Sequence, residues 1–197
     1  MTNILVIDNY DSFTYNLVAL LRQIPGAEVT VRRNDAASSQ DLEDAGALVL
    51  SPGPGLPAEA GDLMGILGQA AGRMPVLGVC LGLQAIAEYY GGSLHNLSNV
   101  YHGVATSMQI VDPEDPLFAG MPEIFEAGRY HSWVADPNTL PPELRVTAID
   151  ETGHIMALRH LRDPVFGVQF HPESVLTPQG ARLIQNFVRQ AQRLLAA

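Results

Sequence analysis

The stretch "PVLGVCLGLQAIAEYYGG" (residues 75–92) holds the only cysteine of this 197-residue chain. Cys80 follows a short apolar run, residues 76–79, and has a glycine two positions before it and another two positions after it. From residue 83 to residue 90 the apolar side chains recur at helical spacing. The stretch therefore predicts a strand that turns sharply at the cysteine into a helix, the unit from which parallel α/β sheets are built.

The first half of the chain repeats this alternation of strand and helix. Short apolar runs predict strands at residues 4–8, 28–33, 47–51 and 76–80. Amphipathic segments predict helices at residues 12–23, 39–45, 60–73 and 83–90. Successive units of this kind predict a parallel sheet with right-handed crossovers.

The second half has a different pattern, because its strands follow one another without long helices between them. Such strands are predicted at residues 104–111, 125–133, 145–150 and 154–160, with a hairpin turn at 151–153. A buried strand at 165–170 and a long helix at 177–195 close the chain. The predicted fold is a three-layer α/β fold: a mostly parallel central sheet with flanking helices and a smaller antiparallel extension, in one domain over residues 1–197.

Composition limits the classes of partner and the compartment. The net charge is −10 and the 11 basic residues are scattered, so neither nucleic acid nor an anionic membrane is an expected partner. No apolar run approaches the roughly 20 residues of a membrane span, and the N-terminus lacks a signal-peptide pattern. A single cysteine cannot form an internal disulfide, which fits a reducing compartment. A cytoplasmic location is therefore expected.

The position of Cys80 favours a reactive thiol. A helix N-terminus stabilises a thiolate, and glycines at 78 and 82 permit a sharp turn with space above the sulfur. A strand, a G-x-C-x-G turn and a helix together form the cysteine version of the nucleophile elbow. The alternative is a buried cysteine that serves as a small apolar side chain.

A second stretch, "GVQFHPES" (residues 167–174), offers a base for such a thiol. His171 follows the strand predicted at 165–170, so it should emerge at the same sheet edge as Cys80, and Glu173 is close enough in sequence to orient the imidazole. The alternative is an ordinary exposed turn. The aromatic stretch "RYHSW" (residues 129–133) predicts part of a pocket wall. No histidine pair has helical metal-site spacing and only one cysteine is present, so no metal is expected.

Two loops complete the set of motifs. The run "LSPGPGLP" (residues 50–57) predicts a rigid loop whose N–H groups could bind an anion or an oxyanion, although a plain structural turn is the alternative. It lacks the Gly-Lys-Ser/Thr of a phosphate loop. In "DNYDSFTYN" (residues 8–16), Asp11 or Ser12 is expected to cap the following helix, and no catalytic role is assigned.

Taken in their order along the chain, these five stretches span almost all of it and resemble the class I (triad-type) glutamine amidotransferases. The resemblance is strongest to the glutaminase subunits of anthranilate synthase and of aminodeoxychorismate synthase. It implies that Cys80 is the nucleophile, His171 the general base and Glu173 the residue that orients the base. It also implies an oxyanion hole formed by the backbone N–H groups of Gly53 and Leu81.

The resemblance further implies which residues bind L-glutamine: Gly53, Pro54, Gly55, Gln84, Ser132 and Trp133. Two positions depart from the usual family pattern. Leu83 stands where the family usually has histidine, and Trp133 stands where it usually has leucine. The first change should leave hydrolysis intact, whereas the second affects the expected affinity for glutamine.

The reaction implied is hydrolysis of L-glutamine, with no cofactor in this chain. The sequence ends one helix after His171, so the ammonia is expected to pass to another polypeptide. By resemblance this partner is a chorismate-utilising synthase subunit that uses magnesium, either anthranilate synthase component I or aminodeoxychorismate synthase component I. The sequence leaves the product open between anthranilate and aminodeoxychorismate. Two further hypotheses stay open, a stand-alone thiol hydrolase or peptidase and a binding module without chemistry.

Overall fold

A computed structural model describes residues 1–196 of the chain. Its strands are β1 (Thr2–Asp8), β2 (Ala27–Arg33), β3 (Ala47–Leu50), β4 (Val76–Val79), β5 (Leu94–Asn96), β6 (Val104–Ile110), β7 (Ile124–Arg129), β8 (Trp133–Ala135), β9 (Leu144–Asp150), β10 (Ile155–His160) and β11 (Val165–Val168). Its α-helices are α1 (Thr14–Arg22), α2 (Ser39–Glu43), α3 (Leu63–Ala70), α4 (Leu81–Tyr89) and α5 (Gly180–Leu195). Single 3₁₀ turns lie at Pro57–Glu59 and Pro116–Phe118.

Nine strands form one large sheet in the order β2-β1-β3-β4-β11-β10-β9-β6-β7. The first five strands of this order (β2, β1, β3, β4 and β11) run parallel to one another. The last four (β10, β9, β6 and β7) continue the sheet with antiparallel pairing. Strands β5 and β8 pair separately as a small antiparallel sheet. The mostly parallel sheet with an antiparallel extension is the architecture that the sequence predicts.

Helices cover both faces of the parallel part, which explains why its strands are apolar almost throughout. In β1, Ile4 and Val6 belong to an apolar cluster that contains residues of α1 and α5. Leu5 and Ile7, on the opposite face of the same strand, belong to a second cluster with residues of α3 and α4. The molecule therefore has helix, sheet and helix layers around two apolar interiors.

Several element boundaries differ from the prediction. Helix α3 is shorter than the predicted 60–73 segment, and α5 begins at Gly180 rather than at residue 177. The predicted cap of α1 is wrong, because the helix begins only at Thr14. Asp11 instead accepts a hydrogen bond from the N–H of Phe13 (2.7 Å) in the turn before the helix. The predicted hairpin turn is confirmed by the bond from the N–H of Gly153 to the carbonyl of Asp150 (3.0 Å).

The prediction of one strand over residues 125–133 is wrong. The chain leaves the large sheet after Arg129, and Trp133–Ala135 pairs instead with Leu94–Asn96, a strand that the sequence analysis missed. Residues 130–132 connect the two sheets and form part of the wall of a cavity beside Cys80. Among residues 1–196, no helix is both long and apolar enough to cross a bilayer.

Candidate active site

Cys80 occupies a strained turn between β4 and α4. Its φ of 53° and ψ of −101° lie where a residue with a side chain is rarely found. The N–H of Cys80 donates to the carbonyl of Val168 in β11 (2.8 Å), so the neighbouring strand fixes the turn. The thiol is nearly buried, with 4% of the residue exposed. Backbone strain at a residue with a reactive side chain points to a functional constraint on the sulfur.

The flanking glycines make this turn possible by letting α4 approach the sheet. A Cβ atom on Gly82 would lie 2.7 Å from the carbonyl oxygen of Leu50 and 2.9 Å from its Cβ. A Cβ on Gly78 would collide with the backbone of Gly82. The helix therefore starts directly against β3 and β4. The N–H groups of its first turn have no acceptor within the helix, and they lie beside the sulfur.

His171 reaches the same sheet edge because β4 and β11 are adjacent parallel strands. Val79 is paired in register with Val168, so the residues that follow these two strands leave the sheet side by side. The N–H of His171 donates to the carbonyl of Gly128 (2.9 Å), which fixes the backbone after the strand. The two strand ends that the sequence analysis expected to converge thus do meet.

Glu173 contacts the imidazole of His171. Its Oε1 lies 2.7 Å from Nδ1 of His171, and both side chains are buried. Among residues 1–196, no group forms a hydrogen bond with Nε2 of His171. This ring nitrogen is therefore available to Cys80. Burial alone would lower the pKa of His171, but the adjacent Cys80 sulfur and the Glu173 carboxylate raise it to about 10. The arrangement therefore favours a protonated imidazole beside the Cys80 sulfur.

Two aromatic rings enclose the imidazole. The ring of Tyr130 lies 4.7 Å from that of His171 and the ring of Phe13 lies 5.2 Å from it, measured between centroids. The hydroxyl of Tyr130 is 3.1 Å from that of Ser174, so the tyrosine ring is held in place. These contacts limit the access of water to the imidazole.

The proline-glycine loop lies against the beginning of α4. A Cβ on Gly53 would be 2.5 Å from Cδ2 of Leu81 and 2.6 Å from Cβ of Asn9, so only glycine permits this approach. Asn9 also holds the start of the loop, since its N–H donates to the hydroxyl of Ser51 and its side-chain amide donates to the Ser51 carbonyl (both 2.9 Å). The residues suggested for an oxyanion hole, Gly53 and Leu81, are thereby adjacent.

A cavity of about 420 Å³ lies beside Cys80. Every residue that the sequence analysis assigned to glutamine binding lines it: Gly53, Pro54, Gly55, Gln84, Ser132 and Trp133. A second cavity of about 420 Å³ reaches Cys80 from the His171 side. Leu81 and Glu173 line neither cavity. Within residues 1–196, no three His, Cys, Asp or Glu side chains form a group that could hold a metal ion.

A buried ionic network supports the wall at residues 130–133. Arg129 is 1% exposed, and its Nη1 donates to Oδ2 of Asp150 (2.7 Å) while its Nε donates to Nε2 of His131 (3.1 Å). Nδ1 of His131 therefore carries the proton and donates to the carbonyl of Trp133 (3.1 Å). Burial and the Arg129 charge lower the pKa of His131 to about 3, so its ring is neutral at neutral pH.

The sequence analysis missed several residues around the two cavities. Tyr101 and His102 line the first cavity, and the ring of Tyr101 lies 3.5 Å from the Arg129 guanidinium carbon. The aromatic pair at 101–102 is the only sequence signal that could have indicated them. Gln169, whose side-chain nitrogen lies 3.5 Å from the Cys80 sulfur, was also missed.

The two departures from the family pattern have different surroundings. Leu83 is fully buried in the apolar layer between α4 and β11, where a Cβ on Gly167 would lie 3.1 Å from the Leu83 Cβ. It lines neither of the two cavities at Cys80. Trp133 does line the first cavity, and its carbonyl accepts hydrogen bonds from His131 and from Gln84 (2.9 Å).

Comparison with known proteins decides the family. The family model described as "Glutamine amidotransferase class-I" matches residues 5–191. This chain belongs to the class I glutamine amidotransferases. It is 41% identical over 196 residues to aminodeoxychorismate/anthranilate synthase component 2 of Bacillus subtilis, covering 98% of this chain and all of the relative. It is 43% identical over 189 residues to aminodeoxychorismate synthase component 2 of Escherichia coli, covering 95% of this chain and all of the relative.

The similarity extends to a longer protein and to a solved structure. The chain is 42% identical over 191 residues to the bifunctional protein TrpGD of Thermotoga maritima, covering 95% of this chain and 32% of that relative. A crystal structure described as that of a GMP synthase subunit, from Thermoplasma acidophilum, superposes with a TM-score of 0.88 at 27% identity. The match covers 100% of this chain and 96% of that chain. This amidotransferase is thus of the anthranilate or aminodeoxychorismate synthase type, on the fold of its class.

Proposed function

We propose that this amidotransferase is the glutaminase component of an anthranilate synthase. It hydrolyses L-glutamine to glutamate and ammonia and delivers the ammonia to anthranilate synthase component I, which consumes chorismate. The observation that carries the proposal is the meeting of Cys80 and His171 at two adjacent strand ends, with Glu173 behind the imidazole and a cavity in front of the sulfur.

The first half of the reaction forms a thioester. The Cys80 thiolate attacks the side-chain amide carbon of glutamine, and the tetrahedral oxyanion accepts hydrogen bonds from the N–H groups of Gly53 and Leu81. His171 then protonates the departing nitrogen, so that ammonia leaves and a glutamyl thioester remains on Cys80. The raised pKa of His171 supports this role, because the imidazole holds its proton until the leaving group needs it.

The second half releases glutamate. Having given up its proton, His171 is now a base and removes a proton from a water molecule, which attacks the thioester carbon. Collapse of the second tetrahedral intermediate frees glutamate, and the thiolate and the imidazolium are restored. The carboxylate of Glu173 stabilises the imidazolium through the 2.7 Å contact at Nδ1. These steps require no cofactor in this chain.

Gln84 is suited to bind the substrate. Both N–H groups of its amide are used within the protein, one on the carbonyl of Trp133 (2.9 Å) and one on Oε1 of Gln169 (3.3 Å). The Gln84 carbonyl oxygen is therefore free to accept a hydrogen bond from the ammonium group of glutamine. Ser132 and the backbone of residues 53–55 line the same cavity and complete the proposed site.

The second cavity offers a path for ammonia. It meets the sulfur from the His171 side and is lined by Tyr10 and His102, both exposed at the surface. Ammonia released into neutral water would be protonated and lose its nucleophilicity. A synthase component that covers this opening would shelter the ammonia, and we assign any magnesium requirement to that partner rather than to this chain.

Aminodeoxychorismate is the second candidate product, because the relative from Bacillus subtilis is named for both synthases and the relative from Escherichia coli for aminodeoxychorismate synthase. Incubation of the complex with chorismate and glutamine distinguishes the two products. We expect anthranilate. Aminodeoxychorismate alone would reassign the pathway and leave the glutaminase chemistry unchanged.

The experiment that tests the proposal replaces the nucleophile. We expect Cys80→Ser, assayed in complex with the synthase component, to lose at least about 10³-fold in glutamine-dependent product formation. Synthesis from added ammonium salt should stay at the wild-type rate, because it bypasses this chain. Equal loss of both activities would indicate a structural thiol, and retention of both would exclude Cys80 as the nucleophile.

A further inference from the structure

Gln169 contacts the Cys80 sulfur, although it has no role in the proposed mechanism. The residue directly follows β11 and is fully buried. Its Nε2 lies 3.5 Å from Sγ of Cys80, and its backbone N–H donates to the carbonyl of Met156 (2.8 Å). An amide is costly to bury, so its side-chain atoms require partners.

A chain of hydrogen bonds fixes which end of the Gln169 amide faces the sulfur. The carbonyl oxygen of Trp133 can only accept, so the Gln84 atom that contacts it must be the nitrogen. That nitrogen can only donate, so the Gln169 atom at 3.3 Å from it must be the oxygen. The Gln169 nitrogen is consequently left to face Cys80, and it offers the sulfur an N–H donor.

The start of this chain of bonds is itself anchored. The carbonyl of Trp133 also accepts from Nδ1 of His131, whose tautomer is set by the N–H of Arg129 at its other ring nitrogen. Arg129 is in turn paired with the buried Asp150. One continuous series of polar contacts therefore leads from Asp150 to the Cys80 sulfur. Its members, in order, are Asp150, Arg129, His131, the Trp133 carbonyl, Gln84, Gln169 and Cys80.

We propose that Gln169 is a further catalytic residue, which donates a hydrogen bond to the Cys80 thiolate and ties that sulfur to the glutamine-binding amide of Gln84. A donor aimed at sulfur favours the thiolate over the thiol, because hydrogen bonds to ionised acceptors are stronger than those to neutral ones. The same amide sets the orientation of Gln84. The inference rests on the proposed role of Cys80 as the nucleophile.

Alkylation of the single cysteine tests the contact directly. Because Cys80 is the only thiol in the chain, the rate of its reaction with iodoacetamide as a function of pH reports the ionisation of this one group. We expect Gln169→Leu, which removes the donor, to shift the alkylation profile by about one unit toward higher pH. Gln169→Glu keeps the size of the side chain but places a carboxylate at the sulfur, and should shift the profile further in the same direction.

Asn186→Leu is the matched control. Asn186 is a buried amide that donates to the carbonyls of Leu117 (2.8 Å) and Ala119 (3.0 Å), and it lines neither cavity at Cys80. Its loss should lower stability without moving the alkylation profile. If one of the Gln169 variants fails to fold, the other still gives the profile, and circular dichroism of each variant identifies the folded ones.

The proposal is overturned if folded Gln169→Leu or folded Gln169→Glu has the same alkylation profile as wild type. A rise in KM for glutamine with an unmoved profile would also overturn it, since Gln169 would then act on Gln84 alone. The alkylation rate requires only the thiol and an added electrophile. Failure of the proposed glutaminase function, seen as wild-type protein that forms no glutamate, is therefore distinguishable from failure of this contact.

Discussion

At the scale of single residues, the site depends on charge held out of water. His171 and Glu173 are both buried, and the imidazole gains a pKa of about 10 from its two neighbours in spite of the burial that opposes it. The sequence predicted this pair, because Glu173 follows His171 by two residues and its carboxylate can therefore reach the imidazole. Gln169 was not predictable in the same way, since its contact with Cys80 depends on the pairing of Val79 with Val168.

In the proposed mechanism, the carboxylate of Glu173 sets the alkaline limit of the reaction. In Glu173→Gln the charge that raises the pKa of His171 is lost, so the imidazolium loses its proton at a lower pH. In the proposed mechanism His171 protonates the leaving nitrogen, and activity should therefore fall at a lower pH on the alkaline side. We expect the alkaline limb of kcat/KM to move to lower pH and kcat to fall by about 10² or more.

Rates of glutamate formation between neutral and strongly alkaline pH measure this shift. Glu126→Gln is the control, because Glu126 is an exposed carboxylate on β7 that lines neither cavity at Cys80. An alkaline limb of Glu173→Gln that coincides with those of the control and of wild type would contradict the assigned role.

At the scale of elements, the junction of β4 and α4 brings the helix N-terminus to the sulfur. Its strand and helix were predictable from the apolar run and the helical spacing in residues 75–92. The wall at residues 130–133 was not, because the aromatic-rich run at residues 125–133 reads as a continuous strand. Tertiary contacts decide otherwise: Arg129 turns inward to Asp150, and Trp133 begins a strand in the other sheet.

Gly82 makes the close approach of helix and sheet possible. In Gly82→Ala the added methyl would meet the Leu50 carbonyl at 2.7 Å, so α4 must shift away from β3. Such overpacking costs about 1–3 kcal/mol of unfolding free energy. The shift would also move the Leu81 N–H away from the proposed oxyanion position, and we expect kcat for glutamine to fall by roughly 10²-fold.

Urea unfolding and glutaminase rates measure the two effects, with Gly68→Ala as the matched control. Gly68 lies within α3, and a Cβ there would approach its nearest neighbour, the Tyr89 ring, only to 3.4 Å. Alanine should be neutral or stabilising at this helical position by up to about 1 kcal/mol. Equal stability and activity of Gly82→Ala and Gly68→Ala would refute the packing argument.

At the scale of the whole molecule, the antiparallel extension supports a site built at the parallel sheet edge. Strand β7 lies at the far end of the sheet order, yet its Gly128 accepts the hydrogen bond that fixes the backbone of His171. The presence of the extension was predictable from the strands that lack intervening helices. Its return to the active site was not, since no local pattern records contacts between residues more than forty positions apart.

Catalysis by this route requires that glutamine become covalently attached to Cys80. Wild-type protein mixed with glutamine and quenched in acid within its first turnovers shows this directly by mass spectrometry of the intact chain and of the peptide that contains residue 80. We expect a transient gain of one glutamyl group on Cys80 that decays as free glutamate accumulates. Glutamate formed at the full rate while Cys80 stays unmodified throughout would contradict the proposed mechanism.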